Sequence, residues 1–450
     1  MTVTPLVHPA ATPPTLGWSR FAYGRDAPEM RAADLDDIVS VDVRELFDDV
    51  QPAVWRYGDD LAIVRAAAEA ALADVDLGRF DRDDKVNVLC SEHGFSMMGG
   101  QAYAEVLRTT RDVLVERAGC TKVQLAFSTA GSKHEGPELI PQYGLDEHFK
   151  GEVFFFGPSD RGVAIDTDIG RLYGVRRAYS ADRLVHVHYD DPREVHFHRV
   201  NGRSLKSFTM SYARMETRSI FHNNFPSRSA NIVPRAIYES DFVQSRWGFA
   251  VSMTSSPDGI TGVDADVDLI ALDRRIGRNL LRNYGKMLRL LATIDECFAI
   301  ADDTRWIPYQ HAGGLTACAL YDGPYDHLDL DLAEIPKVDN PAVKALVLNT
   351  AWKLVGGGRR LIAATPAVGR HALRVNGPRT IVAENLADAY RRAVELTGTD
   401  KAIAFDGSYR HINVSRAMAE HLIAAAPEVS RVVDEDLLPK WLRQRGMALV

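Results

Sequence analysis

This chain has little of what marks several large protein classes. Its four cysteines, Cys90, Cys120, Cys297 and Cys318, are scattered and form no CxxC pair. That excludes a disulfide framework and a zinc ribbon, and fits free thiols in a reducing compartment. HExxH is also missing, so the common zinc-protease signature is absent. No apolar run approaches the roughly 20 residues that a membrane-spanning helix needs. Basic residues do not dominate: 53 Lys and Arg stand against 61 Asp and Glu, a net charge of -8, which argues against a general nucleic-acid groove. The opening MTVTPLVHPAATPPTLGW lacks a basic stretch followed by an apolar core. It reads as a flexible arm over residues 1–18, not as a signal peptide. The expectation is a soluble, cytoplasmic protein with no nucleic-acid or membrane partner.

What is present is a long alternation of strand and helix patterns. At 450 residues the chain is long enough for about two or three domains. DDLAIVRAAAEAALADVDL carries apolar residues at helical spacing. KVNVLC and KVQLAFST read as buried strands, with a helix over Gln101 to Ala118 between them. VFFFG, GVAIDTD and RLVHVHY read as further strands, and RLYGVRRAYSAD as containing a helical segment. WGFAVSMTSSPDGITGVDADVD reads as a hairpin turning at Pro257-Asp258-Gly259. Leu269 to Ile294 forms a long amphipathic helix suited to bridge two domains. Beyond it the pattern gives a strand at CFAIAD, a helix from Ala342 to Leu354, a GGGRR turn, strands at LIAAT and DKAIAF, and terminal helices from Ser415. The expected class is α/β: two domains with largely parallel sheets and flanking helices. The boundaries are an arm over 1–18, a first domain over 19–294 and a second over 295–450, whose terminal helices pack back on the first. Ligands of such sheets gather at the carboxyl ends of strands, where His93 and His134 fall.

The densest chemistry lies in HFHRVNGRSLKSFTMSYARMETRSIFHNN. His196, Lys206 and His222 share this segment, and His134, His186, His188 and His198 lie around it. Histidine moves protons near neutral pH and ligates metals. A lysine in a Gly- and Ser-bearing turn can meet a phosphate or attack a carbonyl carbon. The bland reading is that alternating pairs such as His186/His188 and His196/His198 face solvent from one side of a strand.

The order and spacing of VHFH, GRSLKS and FHNN resemble the core of the nickel-dependent lactate racemase family. FAYGRDAPEM, DDKVNVLCSEHG, AGSKHEG, SADRLVHVHY and VKALVLNTAWKLVGGGRRLIAAT resemble its other core stretches, so most of the chain is covered. The resemblance implies a nickel-pincer nucleotide and an active site in the interdomain cleft. It implies a thioamide link at Lys206, for which the amine must be uncharged, and nickel ligation by His222. It implies His134 and His196 as acid/base groups, one for each stereoisomer, with His198 on the same strand face as a register competitor. Arg203 and Ser204 would hold the nucleotide phosphate, and Glu92 and His93 would contact cofactor or substrate. Its partners would be a small-molecule substrate and, transiently, cofactor-making enzymes.

Three departures stand out. Phe95 replaces the family's loop arginine, and Leu205 precedes the lysine where arginine is common. An insertion over 311–335 obscures which lysine or arginine would meet a substrate carboxylate; Arg305 and Lys337 are candidates. These departures point away from lactate, toward a sugar, sugar acid or other larger 2-hydroxy compound, with Phe95 offering an apolar face to it. Two other functions remain open: a hydrolase or lyase whose histidines hold an ordinary divalent metal with Asp190, Asp191 or Glu194, and a non-catalytic nucleotide-binding protein.

Overall fold

The computed structural model describes residues 6–13, 28–95, 99–129, 135–190, 204–224, 231–302, 326, 328–331, 341–350, 360–376 and 379–448. Within them the strands are β1 Val7–Pro9, β2 Ile38–Asp42, β3 Lys85–Ser91, β4 Lys122–Ser128, β5 Val153–Phe156, β6 Gly162–Thr167, β7 Gly170–Val175 and β8 Arg183–Tyr189. They continue as β9 Trp247–Ser256, β10 Gly259–Asp266, β11 Cys297–Ala301, β12 Val343–Leu348, β13 Arg360–Ala363, β14 Thr380–Val382, β15 Ala402–Phe405 and β16 His411–Ser415. The helices that matter here are α1 Ala62–Ala73, α2 Gly99–Glu116, α3 Met215–Asn224, α4 Ile232–Glu239, α5 Leu269–Leu291, α6 Pro366–Asn376, α7 Leu386–Thr397, α8 Arg416–Val432 and α9 Leu438–Gln444. No helix of the described residues is long and apolar enough to cross a membrane.

Two mixed sheets with flanking helices make up the α/β architecture. The first has the order β10-β9-β8-β3-β4-β5. All neighbours in it are parallel except the hairpin pair β9 and β10. Its central strand, KVNVLCS, is covered on both faces, which is why its apolar run hardly alternates. Val86, Val88 and Cys90 join one core and Leu89 the other. The chain leaves β3 toward β4 and β5, then returns to β8 and β9 on the other side. The direction therefore switches between β3 and β8, and the carboxyl ends of that pair are where ligands of open sheets collect.

The second sheet has the order β1-β2-β16-β15-β11-β12-β13-β14. From β15 to β14 it is parallel, and its own switch falls between β11 and β15. Helix α5 links the two bodies, as its length and amphipathic pattern suggest. Asp268 caps it by accepting from the Ile270 and Ala271 amides at 2.9 and 3.1 Å. Its 23 residues span about 35 Å. Leu269, Leu272 and Ile276 pack on the first sheet, and Leu280, Tyr284 and Leu291 on the second. The terminal helices close against the second half of α5. A Cβ at Gly285 would stand 2.6 Å from the Trp441 ring, so only glycine permits that approach.

The structure differs from the sequence reading at three places. Val7–Pro9, inside the expected arm, pairs with β2, and β2 pairs with β16 at the edge of the second sheet. The buried run IVSVD finds its partner at the far end of the chain, so residues 7–9 and 38–42 build the second sheet rather than the first. Residues 343–348 form a strand between β11 and β13, not a helix. A short run buried on both faces has no period that separates the two forms. Residues 170–175 form a hairpin with β6, turning at Gly170, whose φ of +110 suits glycine.

Candidate active site

The carboxyl end of β8 carries three side chains on one face, because alternate residues of a strand point the same way: His186, His188 and Asp190. They point inward, not to solvent. His186 is only 1% exposed. Its Nδ1 lies 2.6 Å from the Tyr212 hydroxyl, and its ring is 5.5 Å from that of His188. Burial pushes its pKa far below the usual value; the His188 charge adds to this, and the Ser204 backbone opposes it. His186 is therefore a neutral hydrogen-bonding group at pH 7. His188 Nε2 is 3.9 Å from the buried Asp190 carboxylate, and His188 sits opposite Ser252 of β9. The Nε2 atoms of both histidines and the hydroxyls of Ser204 and Ser252 are buried with no hydrogen-bond partner. Such a group of orphaned polar atoms is rare in a finished core.

Against this face packs the turn that carries Lys206. Ser204 donates its amide to Asp273 Oδ1 at 3.0 Å. Leu205–Phe208 then form a single 3-10 turn, tightened by the Thr209 and Met210 amides, each 3.0 Å from the Lys206 carbonyl. Phe208, fully buried, anchors the turn between Tyr238 and Trp247. Lys206 is thereby held 9% exposed. His222 stands on a different element, α3, with an exposed ring. Its Nδ1 is 2.7 Å from the Arg218 carbonyl. The carbonyl can only accept, so Nδ1 carries a proton, the second contact that metal-ligating histidines commonly make.

Of the residues expected from sequence, Ser204 and Lys206 are brought together, beside His186. His134, His196, His198, Arg203, Asp191, Glu194, Arg305 and Lys337 lie outside the described residues, and Glu92 and His93 are described only as backbone. One expectation is overturned. Phe95 does not present a face to a ligand: it is 4% exposed and stacks on Phe127 and Tyr143 at 5.6 and 5.3 Å, with Tyr103 against its edge. Sequence reasoning also undervalued His186, His188 and Asp190. Their H-x-H-x-D alternation was the available signal, but a strand pattern does not say which face is covered. Among the described residues no three His, Cys, Asp or Glu side chains group as a metal site. Cys90, Cys120 and Cys297 are buried and form no disulfide among the described residues.

The switch point of the second sheet holds a second buried polar group. Asp302 follows β11 and is fully buried. It accepts from Arg31 Nε at 3.0 Å, the Ala32 amide at 2.8 Å and Asn349 Nδ2 at 2.5 Å. Burial pushes its pKa up to about 6, with Arg31 and Asn349 opposing and Asp406 adding. An unfolded aspartate titrates near 3.9, so the folded chain holds this proton more tightly. The stability this provides is full below about pH 4 and lost as pH rises through about 6. Denaturant melts of wild type and Asp302→Asn at pH 5 and pH 7.5 should show it. The wild type is expected to lose about 1–2 kcal/mol more than the variant over that interval; equal losses refute the assignment.

No known sequence family matches the chain, and no curated protein matches it. Among solved structures, the lactate racemase apoprotein from Thermoanaerobacterium thermosaccharolyticum is similar over 80% of this chain and 94% of its own, at 13% identity and a TM-score of 0.45. A protein from Thermotoga maritima is similar over 56% of this chain and 66% of its own, at 12% identity and a TM-score of 0.34. With both scores below 0.5, these likenesses assign neither family nor function.

Proposed function

We propose that the chain is a racemase or epimerase that inverts a hydroxyl-bearing carbon with a nickel-pincer nucleotide joined to Lys206. The observation that carries the reading is the Lys206 turn, buried against the carboxyl end of the first sheet at its switch point. The residues present fit the group: a held lysine, an orphaned Ser204 hydroxyl beside it, and a His222 ring whose Nδ1 donates to the Arg218 carbonyl. Bound there, the group supplies a ring that accepts and returns a hydride. The chain's part is to remove and restore the hydroxyl proton, through His134 for one stereoisomer and His196 for the other. Arg203 and Ser204 hold the phosphate, and Glu92 and His93 contact cofactor or substrate. The cleft between the two sheets takes the substrate.

The substrate is a sugar, sugar acid or other larger 2-hydroxy compound. Phe95 no longer supports this; the buried imidazole of His186, kept uncharged by desolvation, and the buried Ser252 hydroxyl do, because they match hydroxyl groups better than a carboxylate.

The second reading is an ordinary divalent metal on the histidines: His188 and Asp190 share a face of β8, though among the described residues no third such side chain joins them as a metal site. Metal analysis after co-expression with cofactor-making enzymes separates the two. The first reading expects nickel to be lost in His222→Ala and kept in His188→Ala. The reverse result replaces it with the second.

A further inference from the structure

Behind the Lys206 turn lies a cavity of about 220 Å³ on which three arginines converge. Leu205 forms part of its wall, together with the start of α4, the first turns of α5 and the segment after α9. Arg235, Arg274 and Arg445 line it, against a single carboxylate among the described residues, Asp273. That carboxylate is already engaged by the Ser204 amide at 3.0 Å. Arg235 pairs with Glu239 at 2.9 Å, on the next turn of α4. Arg445 is 8% exposed, and its Nη1 donates to the Trp441 carbonyl at 3.1 Å. Arg274 has no hydrogen-bond or ion-pair partner among the described residues. Even with Glu239 counted, the wall keeps a net positive charge.

We infer that this cavity binds a small phosphate-class oxyanion. Guanidinium groups meet phosphate oxygens with paired, charge-assisted hydrogen bonds. The electropositive start of α4, with Asn231 and Ile232 in the wall, adds to the attraction. Size decides between occupants. Pockets for drug-sized ligands run to roughly 300–1,000 Å³, so this one takes inorganic phosphate or the head of a phosphomonoester, not a whole nucleotide. The cavity wall shares no residue with the histidine face of β8. An anion here would tie Arg445 and Met447, which follow the terminal helix, to Leu205 and α5. It would thus brace the turn that carries Lys206 from behind.

Equilibrium dialysis of the full chain against radiolabelled inorganic phosphate, at constant ionic strength in chloride, tests the site without any cofactor. The expected result is one phosphate per chain. Binding should weaken at least tenfold in Arg274→Glu and in Arg235→Glu, both exposed positions whose replacement leaves the fold intact. Arg391→Glu, an exposed reversal on α7, should leave binding unchanged. Two results would overturn the inference: no saturable binding, or equal affinity in the wild type and the two cavity variants. An adduct missing from Lys206 would count against the proposed function alone.

Discussion

Lys206→Met is expected to abolish the covalent adduct and all turnover while leaving the fold close to wild type. The turn does not depend on the ammonium group. It is held by backbone bonds to the Lys206 carbonyl, by the Ser204–Asp273 contact and by the buried ring of Phe208. Methionine keeps an unbranched stem of similar length in a position that is 9% exposed, so packing is largely conserved. A thioamide, in contrast, needs a nitrogen nucleophile, and no other atom of the side chain supplies one. Intact-mass and peptide spectra should place the adduct on the Lys206 peptide in the wild type and nowhere in the variant. Thermal melting should change by only a few degrees. An adduct that persists on another peptide, or turnover that survives the substitution, would remove Lys206 from the proposal.

The second large effect is on stability. Phe95→Arg, which would install the residue type that the resembled family carries in this loop, should prevent folding. The ring of Phe95 is stacked between Phe127 and Tyr143 and met at its edge by Tyr103, in a core that also holds Val88, Cys90 and Tyr189. A guanidinium placed there would be buried without a built partner, which costs far more than the loss of contacts. Phe95→Ala should fold but lose about 3–5 kcal/mol in denaturant melts, the usual cost of emptying a buried aromatic site. Phe95→Leu, a milder loss, should leave the ranking of substrates unchanged on a panel of 2-hydroxy acids and sugars. A soluble, stable arginine variant, or a leucine variant with altered selectivity, would return Phe95 to the substrate pocket.

Much of the frame was legible before any coordinates. KVNVLCS and KVQLAFS, the hairpin at Pro257-Asp258-Gly259 and the bridging helix α5 carry their own signals: β-branched runs, turn residues and a sustained 3.6-residue period. The GRSLKS turn was legible as a turn and as the seat of a lysine. Less legible were elements defined by remote partners. Residues 343–348 read as a helix because a run covered on both faces carries no strand period. Residues 7–9 and 38–42 looked like an arm and part of the first domain because the strand that pairs with them, β16, lies near the other end of the chain.

The sequence by itself determined the class of fold, the order of most elements and the residue types available for chemistry, because propensity, capping and periodicity act among residues a few positions apart. Only the tertiary structure decided which face of each strand is covered. It turned His186 and His188 inward against Tyr212 and the Lys206 turn, made His186 neutral by burial, and closed Phe95 into the core. It also gathered Arg235, Arg274 and Arg445 from three separate segments around one cavity. Facing, burial and charge convergence depend on what arrives from elsewhere in the chain, and that is fixed only when the sheets and α5 pack together.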